Sequence, residues 1–531
     1  MIDFKKGIDF IIKKPFLLLL GVPLFIYFNS LSNDFVNLDD PEQVYQNQLI
    51  QNLSFKNLKL LFTSSVLSMY QPLTSLFFAG IATFFGVKLA MPYHVFSFLV
   101  NLGSLFLVYF IGLKLFKNKT KALFLSLFFA VHPFAVESVS WVSATSTVLF
   151  TFFFLLALLY YVKYIEEKHK KLYFFSLFFF IIGCFCKVQI IPFVGVLFLV
   201  DYLYRKPLFS LKFLLQKVPF IVVAVFFGFV ALSFRKQELA AEATNLNYSK
   251  LYFAFQQVNW YIIKILIPTK YGIIYNWVLT LTWAQHCYSL VSLPLGFLMV
   301  RYRKNRLFLF GVAFFVLNII LLTTLFSKLA SPYFLRYTYL SSLGIWIAIL
   351  SFSYKKQFIY MGAVAVVFLL ILAKKQTKVW TNTEHLFAHA LEVEPNLPIA
   401  FTNIGVLYIN SDPKKAEKYF LKAASLEPNN AINYNNIGFI YKDLDFNKAE
   451  KYYLKALKAL KVNPNYVNSY NNLGSLYKRT NPLIAEKYFL TALALDASRS
   501  LEFYTNLSNT FMGIDALKYH EYLFKATELK N

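Results

Sequence analysis

Long apolar runs alternate with short basic loops through the first 394 residues, and that alternation leaves the chain few architectures. The runs lie near 15–30, 91–113, 122–136, 145–162, 172–186, 189–204, 216–234, 284–300, 307–326, 338–353 and 357–373. Each approaches the roughly 20 residues that carry a helix across a hydrocarbon core. Composition agrees: 58% of residues are hydrophobic, 61 of them Phe, and only 15% are charged. A soluble domain cannot hide that much apolar surface. The expectation is all-α, with a polytopic membrane domain of about eleven spans over residues 1–375. No small-residue cleavage pattern follows the first run, which therefore reads as a retained helix and not a signal peptide.

The net charge of +26 invites a nucleic-acid reading, but most of that charge sits between the apolar runs. The first 394 residues hold 36 Lys and Arg against 15 acids. Their basic clusters are Lys5, Lys6, Lys13 and Lys14, then 114–121, 163–171, 205–217, 301–306, and Lys355 with Lys356. Lys and Arg are retained on the cytoplasmic side, so all six clusters are expected there and nucleic acid drops out as a partner. The run 251–267, interrupted by Gln256, Gln257, Asn259 and Lys264, is then a re-entrant or interfacial helix facing outward. Eleven spans put everything after 374 outside. A twelfth would put the tail in the cytosol, which Lys374, Lys375 and Lys378 would favour. The three cysteines, Cys184, Cys186 and Cys287, cannot form a disulfide framework of any extent.

From about 380 the composition shifts to Asn, Tyr, Lys and Ala with a period near 34. Units align on Phe401-x-x-Ile404-Gly405-x-x-Tyr408, Tyr434-x-x-Ile437-Gly438-x-x-Tyr441, Tyr470-x-x-Leu473-Gly474-x-x-Tyr477 and Tyr504-x-x-Leu507-Ser508-x-x-Phe511. The second helix recurs around Ala416, Ala449 and Ala485. This resembles the tetratricopeptide (TPR) pattern, a solenoid of paired helices. Residues 376–531 are expected to be an extracytoplasmic TPR domain: a leading half repeat, three full units, and a terminal cap from 504. Its Asn-rich first helices, with Asn403, Asn435, Asn436, Asn471, Asn472 and Asn506, suit either a clamp on a peptide backbone or a solvated face.

Acid is scarce before the repeats, and four of the 15 carboxylates, Asp34, Asp39, Asp40 and Glu42, fall within nine residues of the first outer loop (31–70). An acidic cluster beside a membrane is costly unless it has a task. Asp40 before Pro41 equally suits a helix N-cap, an alternative that leaves Asp39 unexplained. Asp39 suits a general base, and the adjacent pair is also a possible divalent-cation site. Residues 54–61 read as a helix lying flat on the membrane. In the second outer loop Glu137 beside Trp141 is a carboxylate with an aromatic plane, a common means of holding a sugar. His132 before Pro133 reads as structural or as part of that site. Lys187, Lys264 and Arg336 are outer-side cations suited to a lipid phosphate, or to interfacial anchoring.

Phe35-Val36-Asn37-Leu38-Asp39-Asp40-Pro41, Gln71-Pro72-Leu73-Thr74, His94, His132-Pro133 through Glu137-Ser138-Val139-Ser140-Trp141, Cys186-Lys187 and Arg336-Tyr337-Thr338-Tyr339-Leu340 together resemble the transmembrane-and-TPR-containing O-mannosyltransferase-like proteins. The resemblance implies a GT-C membrane glycosyltransferase fold, a polyprenyl-phosphate-linked, mannose-like sugar as donor, and a protein hydroxyl as acceptor. It places the catalytic acidic pair at Asp39 and Asp40. It also implies a multi-pass protein of the cytoplasmic membrane in a bacterium, or of the endoplasmic reticulum with lumenal repeats in a eukaryote. Two positions depart from the family: 142–147 is uncharged where relatives carry an Arg and an acid, and Leu335 stands where an acid is common. The alternatives are a non-catalytic TPR scaffold or assembly factor in the membrane, and a polymerase, ligase or exporter of lipid-linked glycans.

Overall fold

The computed structural model describes residues 14–208, 210–234, 248–269, 271–273, 275, 287–323, 334–352, 356–459 and 467–530. The expectations for Lys5, Lys6, Lys13 and Lys355 lie outside the described residues. The chain divides into two compact units, Met1–Leu386 and Phe387–Asn531. Among the described residues both are helical, with no strand.

In the first unit five segments are long and apolar enough to cross a membrane: Pro15–Ser32, Met91–Phe116, Val142–Glu167, Leu211–Phe234 and Gln357–Trp380. A sixth arises if Lys119–Val131 and Phe134–Ser140, bent by 68° against each other, are one broken span. Pro133 causes that break. It lacks an N–H and pushes the residue before it out of the helical region, and His132 accordingly has an extended backbone (φ −72°, ψ 128°). Other expected spans form shorter helices, Lys170–Cys186, Val188–Leu203, Cys287–Arg301, Arg306–Ile320 and Leu335–Leu350. Full-length candidates among the described residues thus number five or six, against the eleven apolar runs in the sequence. The ambiguous run forms one helix, Tyr248–Leu266, and its Gln256, Gln257 and Asn259 are buried within the protein.

The bundle has two chemically distinct ends. At one end Lys114 pairs with Glu166 at 2.6 Å, the Tyr204 hydroxyl donates to the same carboxylate at 3.0 Å, and Arg306 donates to the Tyr202 carbonyl at 2.9 Å. Nearby in sequence, Lys217 pairs with Asp201, which also accepts the Tyr161 hydroxyl. These contacts gather residues from four of the basic loops. The helices Met91–Phe116 and Thr145–Glu167 run from this end to the other, where His94 and Ser143 lie beside the acidic loop. At ~1.5 Å per residue each spans more than 30 Å.

The first outer loop is a packed substructure. Val44, Ile50, Leu61, Phe78, Ala79, Tyr93 and Val142 form its core, with Phe35 and Phe62 against it. The Phe55–Thr63 helix is capped by Ser54, which accepts the Asn57 N–H at 3.2 Å. This helix is anchored through Leu61, while Phe55 is 85% exposed.

The helix Thr383–Val393 crosses the boundary at Leu386; in the second unit its Phe387 and Ala390 are buried, and four antiparallel pairs follow. These are Pro398–Tyr408 with Pro413–Leu426, Ala431–Tyr441 with Phe446–Ala459, Asn468–Tyr477 with Pro482–Leu495, and Ser500–Phe511 with Ala516–Lys530. Each glycine of the repeat faces the aromatic ring of its partner helix. A Cβ at Gly405, Gly438 or Gly474 would meet Phe420, Tyr453 or Phe489 at 2.7, 2.6 and 2.7 Å, so a side chain at these positions would force the ring to shift. The expected cap from 504 is a complete fourth pair, with Ser508 buried at the glycine position.

Several of the repeat asparagines bond to one another and so join successive repeats. Asn472 donates to Asn435 and Asn506 to Asn471, each at 3.0 Å, while Asn433 accepts from Thr402 at 2.7 Å. A second ladder runs through tyrosine and glutamate: Tyr441 to Glu417, Tyr477 to Glu450 and Tyr522 to Glu486.

One crossing in the first unit sets the helix that follows Arg336. Gly344, on Thr338–Leu350, lies against Gly311 and Phe315 of Arg306–Ile320 so closely that a Cβ would strike backbone. Close backbone approach through small residues is how membrane helices pack. Gly344→Val should therefore cost more than the ~1–3 kcal/mol of ordinary overpacking, because the obstacle is main chain. Thermal unfolding in detergent reads this out, with Gly21→Ala, which meets nothing within 4 Å, expected to leave the midpoint unchanged.

Candidate active site

Asp40 organises the acidic loop. Its Oδ2 accepts the Val36 N–H at 2.9 Å; its Oδ1 accepts the Ser143 N–H at 2.9 Å and also the Ser143 hydroxyl. The side chain is 1% exposed. It does not cap the turn that follows, Pro41–Tyr45, which corrects the N-cap alternative. Asp40 itself has a helical backbone (φ −64°, ψ −35°), and its carboxylate turns back to Val36 and across to the second outer loop. Burial pushes its pKa up to about 6, opposed by the bonds from Ser143 and Val36.

Asp39 is half-buried and, among the described residues, forms no direct ion pair. Burial raises its pKa, and the charges of Arg336 and Lys187 pull it back. Those two cations converge on the loop from distant parts of the chain. Arg336 lies in the turn Leu335–Tyr337, where its Nη1 donates to Glu137 Oε1 at 2.8 Å. Its guanidinium packs over the Phe334 ring at 4.0 Å and over Trp141 at 5.1 Å. Lys187 ends the helix Lys170–Cys186, and its Nζ donates to the Thr147 hydroxyl at 3.0 Å. The preceding carbonyl, of Cys186, accepts from Thr74 at 3.0 Å, so the turn bearing Lys187 is fixed to the helix after the outer loop.

Lys187 also lines a cavity of about 200 Å³. Tyr70, Gln71, Gln189, Ile191, Asn318, Leu322 and Tyr337 form its wall, an apolar space with a few polar groups. Gln71 donates to Gln43 at 3.1 Å, which connects the wall to the helical turn after Asp40. At the rim, Val66 and Met69 exchange backbone hydrogen bonds of 3.2 and 2.9 Å around Leu67 and Ser68. Both central residues have left-handed backbones (φ 52° and 57°), a conformation costing ~1–2 kcal/mol in a non-glycine residue.

Six of the eight residues singled out in the sequence thus form one neighbourhood: Asp39, Asp40, Glu137, Trp141, Lys187 and Arg336. Within it Glu137 is committed to Arg336, and the buried Trp141 ring stacks on Trp380 with centroids 5.5 Å apart. His132 and Lys264 form a second group on the Tyr248–Leu266 helix. His132 Nε2 bonds the Ile265 carbonyl at 2.9 Å, its ring packs on Phe134, and Lys264 donates to Thr269 at 3.1 Å. Both oxygens of Asp40 are already acceptors, and no group of three acid, His or Cys ligands occurs among the described residues.

Sequence reasoning missed Ser143 and Trp380. Ser143 lies in an uncharged stretch that reads as the approach to a span, and only its partner Asp40 reveals it. Trp380 lies beyond the last apolar run, in the stretch expected to begin the repeat domain; the first unit instead extends to Leu386.

Residues 431–465 match the tetratricopeptide repeat family. No curated protein matches the chain. A solved structure described as a functional characterization of Pseudomonas aeruginosa pilF is 20% identical, with a TM-score of 0.25, over 31% of this chain and 73% of its own. Residues 431–465 are thus a TPR unit, of a kind associated with protein–protein interaction.

The Glu137–Arg336 pair has side chains only 5% and 16% exposed. Arg336→Met alone should destabilise the protein by ~3–5 kcal/mol, because Glu137 is left buried and unpaired. The double variant with Glu137→Gln should recover most of that loss. Denaturation of both variants in the same detergent checks it.

Proposed function

We propose that this chain is a membrane glycosyltransferase. It moves a mannose-like sugar from a polyprenyl-phosphate donor to hydroxyls of exported proteins, and the TPR domain holds the acceptor. The supporting observation is one juxtaposition: a half-buried carboxylate, Asp39, near two cations, Lys187 and Arg336, with Lys187 also in the wall of a largely apolar cavity. Base, phosphate-binding charge and space for a lipid are the three parts such a transfer needs. The fold this reading assumes is of the GT-C type, with the basic loops cytoplasmic and the acidic loop and repeats on the opposite side.

In the proposed reaction Asp39 accepts the proton of a Ser or Thr hydroxyl as that oxygen attacks the anomeric carbon. The new C–O bond forms as the bond to the donor phosphate breaks, and configuration inverts. Negative charge gathers on the departing phosphate, where Lys187 and Arg336 stabilise it. Phosphate is a good leaving group, so no general acid is required. Asp40 serves by geometry: held by Val36 and Ser143, it fixes the backbone that presents Asp39.

Two observations favour the scaffold reading instead. The TPR unit is the part with a matched family, and Glu137 is already committed to Arg336. Asp39→Asn decides between the two. Transfer in cells should fall at least ~100-fold, the lower range for a general base, with the protein still present in the membrane; unchanged glycosylation supports the scaffold. A pH profile adds a second test. Burial raises the Asp40 pKa to about 6, so its carboxylate is protonated, and the tie that presents Asp39 is loosened, as pH falls through that value; transfer should therefore fall on the acid side of about pH 6. The Ser143 hydrogen bond holds the Asp40 pKa down; Ser143→Ala should therefore move the acid limb to higher pH.

A further inference from the structure

The end of the last long apolar segment, Gln357–Trp380, and the residues that follow it grip the acidic loop at three points. Asn33 Nδ2 donates to the Trp380 carbonyl at 2.9 Å, the Asp34 N–H donates to the Thr381 carbonyl at 3.0 Å, and the Asn37 N–H donates to the Thr383 hydroxyl at 2.9 Å. Trp380 is 1% exposed. Its ring lies nearly parallel to Trp141, at 20°, and Trp141 in turn carries Arg336. Residues 380–383 therefore touch the loop bearing Asp39 and the aromatic support of the cation that faces Asp39. Asp40 secures the same loop from the other side, through Val36 and Ser143. The amides of residues 34, 36 and 37 are all engaged this way, three of them within the six residues that end at Asp39.

We propose that residues 378–383 are a positioning strap for the acidic loop, with Thr383 and Trp380 as positioning residues that set the orientation of Asp39. The role rests on the glycosyltransferase reading for its effect on rate, but not for its effect on the loop. A buried amide whose acceptor is removed exchanges with solvent more readily, and one hydrogen bond corresponds to about a fivefold change. The strap also explains why a tryptophan is buried at the end of the last long apolar segment: it fills the space behind Trp141, and its carbonyl is needed by Asn33.

The test uses full-length protein in nanodiscs. Hydrogen exchange over residues 33–40 should rise about fivefold or more in Thr383→Ala and return to the original rate in Thr383→Ser, which keeps the acceptor. Trp380→Phe, which keeps a stacking ring, should remain near the original rate. In the same preparations kcat for sugar transfer should fall in Thr383→Ala with KM for the lipid donor unchanged, and recover in Thr383→Ser. Unchanged exchange in Thr383→Ala overturns the strap; raised exchange with unchanged kcat overturns its positioning role. Exchange needs no turnover, so it decides the loop contact even if the original protein transfers no sugar. In that case the glycosyltransferase reading falls, and the positioning role for Asp39 falls with it. If Asp39→Asn abolishes transfer while Thr383→Ala changes neither exchange nor kcat, the strap alone fails.

Discussion

A carboxylate taken out of water must be given partners, and the end of the first unit that carries the acidic loop is arranged around one that is. Asp40 accepts from Val36 within its own loop and from Ser143 in the next one. Burying an unpaired charge would cost several kcal/mol, so these donors and this loop conformation depend on one another. With the tie in place the adjacent backbone is fixed, and Asp39 points toward the charges of Arg336 and Lys187. A pair of neighbouring acids is thereby divided into one that holds the loop and one that forms no direct ion pair among the described residues.

The same logic orders the rest of the unit. Near the acidic loop, charged side chains and loop amides belong to sets assembled from far apart in sequence: Glu137 with Arg336, Lys187 with Thr147, and the loop amides with residues 380–383. At the opposite end Lys114, Glu166, Asp201 and Lys217 are likewise paired. The helices between are almost purely apolar and have little to say about chemistry. Their contribution is to keep two polar ends apart while small residues such as Gly311 and Gly344 bring neighbouring backbones close.

What could be read from the sequence follows from how local each signal is. The repeats were legible because glycine and aromatic recur at fixed spacing, and the structure supplies the reason in the contact of each Gly with a ring. The acidic cluster was legible because acids are so few before residue 394. Pairings were not: nothing in residues 137 and 336 taken singly announces that they meet. Eleven apolar runs are legible, and the described residues hold five or six full-length candidates, because hydropathy registers an apolar run but not how much of it is one continuous helix; Pro133 breaks one and turns 68°. The repeat asparagines show the same limit. They read as a clamp or a solvated face, whereas several bond between repeats, a choice set by the neighbouring repeat's geometry.

The account centres on sugar transfer to exported proteins from the loop that carries Asp39. Intact-mass analysis of exported proteins from otherwise identical cells with and without this chain addresses it most directly. Hexose-sized mass increments that disappear when the chain is absent are the predicted result. Identical mass distributions in the two cultures would contradict it.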